Sequence, residues 1–419
     1  MNPYKATRLV AFLTLALLLT PRATAQAPLQ GGWVDAAQDR IEDIRKTEVR
    51  LIVLDAAGNP VPNANVHIDQ QRHAFPLGFT LVEDQWPEAL PSGAPLWRCF
   101  NAIALDALTD WSAMSSRHDA PPNVEPIEQI VRRAQRTGIT ARFGGLISAD
   151  RARNPAWLAE LDKPALREAF DRRLSEALRG VLGPFTQYDL YTHALDHDDI
   201  EQTFGTPALR ALYDRAQALA PDASIGLRVR DSLLGGRMRQ MARRITTMRL
   251  DFIPFDYIAI EPRMTRQLVQ APLQRTFDQL EELNANVTLV GVEMGGRSEA
   301  AAAYNLEVLL RTAFASSSVQ GIWLGPLTAE QTTAEHAALL DDEGNPTPPG
   351  EVVDRLFHET WRTDHRAATD ALGNVRASIF AGVHDITAEL PNGETLAMTV
   401  RVAPNDDERV IVLEPGESF

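Results

Sequence analysis

The sequence predicts a (β/α)₈ TIM barrel that carries a small β-sandwich-like module formed by the N- and C-terminal segments. Between residues 74 and 365, strand-like segments alternate with amphipathic helical segments over a length typical of such a barrel. Strand-like runs bounded by turn residues occur at both ends of the chain. A doubly wound open sheet has the same alternation, but no glycine-rich dinucleotide loop follows the first predicted strand.

The barrel is predicted from eight strands with helices between them. The predicted strands cover residues 74–80, 99–103, 140–144, 188–192, 225–229, 257–260, 287–292 and 319–324. The clearest predicted helices cover residues 124–137, 164–182 and 206–219. The apolar residues of these helices recur at helical spacing, so that each helix can pack one face against the sheet.

Four segments are predicted along the chain. Residues 1–25 combine a positive start, an apolar core and the small residues Ala23-Thr24-Ala25, which is typical of a secretory signal peptide. The apolar run is shorter than the ~20 residues that span a bilayer, so we expect an exported protein, periplasmic or extracellular, without a membrane anchor. Residues 26–73 are predicted to form a helix and a β-hairpin, residues 74–365 the barrel, and residues 366–419 a β-module that packs with the hairpin.

Composition limits the classes of partner. The chain has 56 acidic and 41 basic residues and a formal net charge of −15, which becomes −18 once the predicted signal and its three basic residues are removed. This charge disfavours nucleic acid as a partner. Cys99 is the only cysteine, so no internal disulfide can form. We expect no cofactor, and no oligomeric state is indicated.

Polar residues follow several predicted strands, where a barrel places its active-site face. They are Asp106 and Asp110 after the second strand, His193 after the fourth, Arg230 after the fifth, Glu261 and Arg263 after the sixth, and Glu293 after the seventh. Glu293 ends the segment NVTLVGVEMGG, so its carboxylate should face the cleft. A structural ion pair with Arg263 or Arg297 is the alternative interpretation.

The segment QYDLYTHALDHDDIE is open to three interpretations. His193 and His197 could bind a metal ion together with Asp198 and Glu293, although a pair of histidines four apart suits zinc only on a helix. The segment could also be a catalytic loop, or a solvated acidic loop that opens the next helix. We expect no metal here.

Longer segments resemble the family-10 glycoside hydrolases, best known as endo-β-1,4-xylanases, from about Arg40 to the C-terminus. RIEDIRKTEVRLIVLDAAGNPVPNANVHIDQQRHAFPLG is similar to that family's entry segment. FNAIALDALTDW lies where the family has F-N-x-x-x-x-E-N-x-x-K-W, YDLYTHAL where it has W-D-V-V-N-E-A, and LVGVEMG where it has I-x-x-T-E-x. VQGIWLGP resembles its last strand. The resemblance implies the barrel fold and a polysaccharide cleft.

The resemblance also implies roles for individual residues. Glu293 falls on the retaining nucleophile, and His193 falls on the acid/base glutamate. The other functional positions differ from the family: Asp106 replaces a glutamate, Ala107 an asparagine, Asp110 a lysine, Gly144 a histidine, Ser148 a tryptophan, Arg230 an asparagine, Glu261 a glutamine and Arg263 a histidine. In the family these positions grip sugar hydroxyls, so Asp106, Asp110, Arg230, Glu261 and Arg263 are the candidate substrate-binding residues.

Two functions follow from this comparison. The first is an exported glycoside hydrolase that acts on a β-linked polysaccharide, either xylan-type or charged, since Arg230 and Arg263 suit carboxylate or sulfate groups. Hydrolysis with retention needs two carboxyl groups about 5–5.5 Å apart, so Glu261 or an aspartate between residues 196 and 199 would have to replace the missing acid. The second is a catalytically inactive relative that binds a glycan or a protein partner in the same cleft.

Overall fold

The computed structural model describes residues 29, 31–82, 95–118, 121–178, 185–231, 233–262, 267–404 and 408–415. These ranges contain the strands β1 (Lys46–Val53), β2 (Asn65–His73), β3 (Leu77–Thr80), β4 (Ala102–Ala104), β5 (Thr140–Ser148), β6 (Gln187–Thr192), β7 (Ser224–Asp231), β8 (Tyr257–Pro262), β9 (Val287–Val292), β10 (Val319–Leu324), β11 (Asp364–Ala368), β12 (Asn374–Phe380), β13 (Gly382–Glu389), β14 (Thr395–Val402) and β15 (Arg409–Leu413). The predicted signal peptide, Trp86 and Arg263 lie outside the described residues.

Helices alternate with the central strands. They are α1 (Gly32–Arg45), α2 (Asp106–Thr109), α3 (Trp111–Met114), α4 (Glu125–Arg136), α5 (Lys163–Leu178), α6 (Asp199–Phe204), α7 (Thr206–Leu219), α8 (Met238–Leu250), α9 (Gln270–Glu282), α10 (Glu299–Phe314) and α11 (Pro348–Asp354). Short 3₁₀ segments cover Pro95–Cys99, Arg151–Arg153 and Ala156–Glu160, and a π-helical turn at Arg355–Thr360 continues α11. Of the helices within the described ranges, none has the length and apolar character needed to cross a membrane.

Eight parallel strands close into a barrel in the order β10-β3-β4-β5-β6-β7-β8-β9. The predicted (β/α)₈ barrel is therefore confirmed. Close packing at its centre requires small residues beside large ones: a Cβ on Gly78 would lie 2.5 Å from Trp323 Cδ1, and one on Gly226 would lie 2.3 Å from Tyr257 Cζ. Such interlocking of small and large side chains fills the barrel and leaves its C-terminal rim to carry the cleft.

The small module is a sandwich of two sheets, as predicted. One sheet has the order β12-β1-β15 and the other the order β11-β2-β13-β14. Both facing sides are apolar, with buried residues that include Val49, Leu51, Val66, Ile68, Ile379 and Ile386. The burial of these side chains between the sheets is the main stabilising contribution to the module.

The predicted hairpin of β1 with β2 is wrong, because the two strands lie in opposite sheets. A tight turn does begin the connection, and the Val61 N–H donates to the Val53 carbonyl over 2.9 Å. The chain then crosses to the other sheet through Asn63, whose φ is 57°. Alternating apolar residues fit either arrangement, since each strand needs only one buried face.

His73 connects the module to the barrel. Its ring packs edge-on against Phe314, Phe357 and Phe380, with centroid distances of 5.7–6.4 Å. Burial is the main cause that lowers the pKa of His73 to about 4. Because the neutral ring is the form that the fold accepts, the unfolded chain binds a proton more readily than the folded chain as the pH falls below about 6.5.

We therefore expect the free energy of unfolding to fall less steeply toward acid pH in His73→Phe than in the wild type. The stabilisation that depends on neutral His73 is complete above pH ~6.5 and is lost as the pH falls toward 4, by on the order of 2 kcal/mol. Urea unfolding of wild type and variant between pH 7 and pH 4 measures this difference. Equal slopes of unfolding free energy against pH in the two proteins would contradict the assignment.

Candidate functional site

A cleft of about 1280 Å³ opens at the C-terminal ends of the barrel strands. Its lining includes four residues predicted from the sequence: Asp106, Arg230, Glu261 and Glu293. His193 and Asp110 do not belong to this lining. The cleft therefore extends from the barrel centre toward the ends of β8, β9 and β10 and away from the acid/base position after β6.

Arg228 occupies the floor of the cleft and was not predicted. Its Nη1 lies 2.8 Å from Asp106 Oδ2 and 3.5 Å from Asp189 Oδ2, and its Nη2 lies 3.2 Å from Glu261 Oε2. Burial by itself lowers the pKa of Arg228, but the charges of these three carboxylates outweigh burial and raise it. Arg228 is therefore a permanent cation that joins α2, β6, β7 and β8 beneath the cleft.

Two further ion pairs extend this network. Arg230 Nε lies 3.1 Å from Glu261 Oε1, so both oxygens of Glu261 face arginines. Below the floor, the fully buried Asp189 pairs with Arg142 and accepts a hydrogen bond of 2.8 Å from the Tyr257 hydroxyl. The polar groups at the centre of the barrel are thus committed to one another before any ligand arrives.

The pattern RVRD in β7 contained the signal for this network. Arg228 and Arg230 are two residues apart on one strand, so they project to the same side. That side had to be the interior, since the opposite residues Leu227 and Val229 are buried against the helices. A charged residue at an inward position of a barrel strand predicts an internal partner.

Glu293 lies directly after β9 and holds a distant loop. Its Oε2 accepts three hydrogen bonds: from the Thr333 N–H at 2.7 Å, the Thr333 hydroxyl at 2.8 Å and the Ala334 N–H at 2.9 Å. Among the described residues, Glu293 has no ion pair, so the predicted pairing with Arg297 is not formed; Arg263 is outside the described residues. Gly325 makes room for this carboxylate, because a Cβ there would lie 2.4 Å from Glu293 Cγ.

His193 lies half-buried at the end of β6 with a φ of 61°, a left-handed conformation that is uncommon for a residue with a side chain. Its Nδ1 is 3.0 Å from the Ser148 hydroxyl and 3.0 Å from the Thr192 hydroxyl. Burial is the largest cause that lowers the pKa of His193 to about 4, followed by the charges of Arg230 and Arg153. The ring is therefore neutral near pH 7, although its ordinary pKa would have left a substantial protonated fraction.

His193 and His197 do not come together as a metal site. The ligand atoms of His197, Asp150 and Asp199 instead lie within 4.8 Å of one another on the outer side of the loop. Asp150 is already paired with Arg153, whose Nε lies 3.2 Å from Asp150 Oδ2. The group lies near the start of α6, where Asp199 is the first residue of the helix.

Asp110 has a local structural role. Its carboxylate Oδ1 accepts the N–H groups of Ser112 at 2.9 Å and Ala113 at 3.3 Å and so caps the short helix α3. The side chain is exposed and lies outside the cleft lining. Its assignment as a substrate-binding residue therefore has no support in the geometry.

The cleft differs from common sugar sites in one respect. Within the described part of the chain, no tryptophan, tyrosine or phenylalanine lines it. Trp111, Trp323 and Trp361 are buried in the core instead. The described residues of the lining therefore offer a ligand hydrogen-bonding groups and no aromatic face.

Comparisons with known proteins place this geometry in context. No family model matches the chain. The anti-sigma-I factor RsgI6 of Acetivibrio thermocellus is 24% identical over 382 residues, which are 89% of this chain and 49% of that protein. Endo-1,4-beta-xylanase 5 of Arabidopsis thaliana is 22% identical over 348 residues, which are 79% of this chain and 59% of that protein. The chain thus spans between about half and three fifths of the length of these relatives.

Solved structures give the same fold. The crystal structure of xylanase 10B from Thermotoga petrophila RKU-1 in complex with xylobiose superposes with a TM-score of 0.58 at 14% identity, covering 68% of this chain and 94% of that one. The resemblance read from the sequence is confirmed at the level of the barrel. The chain has the fold of the endo-β-1,4-xylanases and is distantly similar to them in sequence.

Proposed function

We propose that this protein binds a β-linked glycan of the xylan type in the cleft and does not hydrolyse it by the two-carboxylate mechanism. The proposal is supported by the fold and by one observation above all: a neutral histidine stands where the family has its proton donor. The pKa of His193, about 4, leaves only roughly one molecule in a thousand protonated at pH 7. Loss of general acid/base help typically costs 10²–10⁴-fold in rate.

Three carboxyl groups that the sequence offered as a replacement, Glu261, Asp196 and Asp199, are engaged with other described residues. Glu261 faces Arg228 and Arg230 through both oxygens, so each of its oxygens already contacts a cation. Asp196 pairs with Arg237 at 2.7 Å, outside the cleft. Asp199 accepts the Arg151 N–H at 2.8 Å and also lies outside the lining.

Hydrolysis is the second candidate function, and one observation favours it. Glu293 lies at the end of β9 within the cleft lining, at the nucleophile position of the resemblance. Only its Oε2 is hydrogen-bonded among the described residues, so Oε1 has no protein partner there. A substrate that carried its own good leaving group would need a nucleophile but little acid assistance.

The two candidates are separated by measuring binding and cleavage on the same protein. We expect residues 26–419 to bind xylotetraose in calorimetry and to release no reducing ends from xylan above the level of a buffer control. An aryl xylobioside, whose phenol leaves without protonation, tests the second candidate directly. Aryl release by the wild type that is lost in Glu293→Gln would establish hydrolysis, and absence of any glycan binding would refute the first proposal.

A further inference from the structure

We propose that the glycan is held in a side arm of the cleft, between the ends of β8, β9 and β10, and not along the line from Glu293 to His193. Four polar side chains at the arm carry this inference: Gln267, Arg297, Gln331 and Glu335. The inference rests on the proposed glycan binding and names the part of the cleft that performs it.

The centre of the cleft is poorly suited to grip sugar hydroxyls. Asp106, Arg228, Glu261 and Arg230 form ion pairs of 2.8–3.2 Å with one another. A ligand that contacts these groups must break or share those pairs, and an uncompensated charge in a partly buried site is costly. The central charges therefore position the floor, and a ligand there would have to compete with these ion pairs.

The described side chains of the arm, unlike those at the centre, form no ion pairs with one another. Within the described ranges, Gln267, Arg297, Gln331 and Glu335 make no side-chain hydrogen bond or ion pair to other residues, and all four line the cleft. Amide, guanidinium and carboxylate groups offer the paired donors and acceptors that adjacent sugar hydroxyls require. A ligand can bind them by replacing water, without disrupting an internal contact.

The arm is also built rigidly. Asn305, which is 1% exposed, accepts the Leu268 N–H at 2.8 Å and donates to the Gly295 carbonyl at 2.8 Å, so it ties the segment after β8 to the segment after β9. The Gly296 N–H donates to the Glu335 carbonyl at 3.1 Å, which ties the segment after β9 to the loop after β10. A preformed wall lowers the entropic cost of binding.

Close contact within the arm depends on glycine. A Cβ on Gly295 would lie 2.8 Å from the Glu335 carbonyl oxygen, and one on Gly296 would lie 2.6 Å from the Ala302 nitrogen. Both distances are shorter than real contacts allow. The Gly-Gly sequence after Glu293 thus brings the loop after β10 against the barrel and shapes the arm.

The charge of the arm indicates a neutral ligand. One cation, Arg297, and one anion, Glu335, accompany two uncharged amides, so the four groups have no net charge at pH 7. Arg230, which the sequence suggested as a partner for acidic sugars, is paired with Glu261. We therefore expect an unsubstituted xylo-oligosaccharide to bind more tightly than one that carries a glucuronic acid branch.

Calorimetry with xylotetraose tests the location. Gln331→Ala and Arg297→Ala should each weaken binding about fivefold to tenfold, and the double variant about 25-fold to 100-fold if the two effects are additive. Gln135→Ala and Arg136→Ala, which remove the same residue types from the exposed face of α4, are matched controls and should bind like the wild type. Asp110→Asn keeps a capping side chain at an exposed position outside the cleft lining and should also leave binding unchanged.

Each outcome decides a separate question. Intact binding in the arm variants, or weakened binding in Asp110→Asn, would overturn the side-arm location while the proposed glycan binding stood. Failure of the wild type to bind xylotetraose would overturn both proposals. Circular dichroism and thermal unfolding of every variant exclude a general loss of structure as the cause of weaker binding.

Discussion

Arg228→Met is expected to lower the free energy of unfolding by about 3–5 kcal/mol at pH 7. Removal of one partner from a buried ion pair has this effect because the remaining charge is left without compensation. Here Asp106 loses its arginine, whereas Asp189 keeps Arg142 and Glu261 keeps Arg230 as a second partner. Urea unfolding followed by fluorescence and circular dichroism measures the loss.

Two comparisons make this prediction specific. Arg237→Met removes a half-buried arginine that pairs with Asp196 and donates to the Arg230 carbonyl, and it should cost only about 1 kcal/mol. The deficit of Arg228→Met should also shrink as the pH falls from 7 to 5, because protonation removes the uncompensated negative charge from the stranded carboxyl groups. A deficit equal to that of Arg237→Met, or one that grows toward acid pH, would contradict the central role of Arg228.

Glu293→Ala is expected to release the loop after β10 and to weaken xylotetraose binding about tenfold or more. The alanine leaves the Thr333 and Ala334 N–H groups without their charged acceptor, and hydrogen bonds to a charged group typically contribute about 1.5–3 kcal/mol. Because this loop forms one wall of the side arm, its release also lowers the affinity for the ligand. Hydrogen exchange at the two amides measures the release directly.

Glu293→Gln is the matched control. Glutamine keeps an oxygen acceptor of the same shape, so it should retain most loop protection and most binding, while any nucleophilic activity would be lost. If Glu293 acted only as a nucleophile, both variants would bind xylotetraose normally. Neither variant would then alter hydrogen exchange at Thr333 and Ala334. The pair of variants therefore separates an anchoring role from a chemical one.

The fold was predictable where local patterns determine it. Each barrel strand is a short apolar run between helices, and the closing of eight such units has one common solution. The relation of β1 to β2 was not predictable in this way, since Val49 and Val66 satisfy the same alternation whether their strands pair or stack face to face. That choice depends on partners from the far end of the chain.

The sequence predicted where the residues of the candidate site lie, but not the pKa of His193 or the loop that Glu293 contacts. Four residues predicted from strand ends, Asp106, Arg230, Glu261 and Glu293, lie in the lining of one cleft. The low pKa of His193 comes from burial and from arginines on other segments, which no local pattern reveals. Likewise, Thr333, which donates hydrogen bonds to Glu293, lies 40 residues further along the chain.

The parallel pairing of β1 with β15 also constrains the order in which this protein folds during synthesis. Val49 pairs with Arg409, so the first strand of the sandwich must wait for one of the last to leave the ribosome. Such non-local pairing slows folding and leaves apolar strand faces open to other chains in the interval. The barrel can form first and then serve as the platform on which the sandwich closes, with His73 and its ring of phenylalanines at the junction.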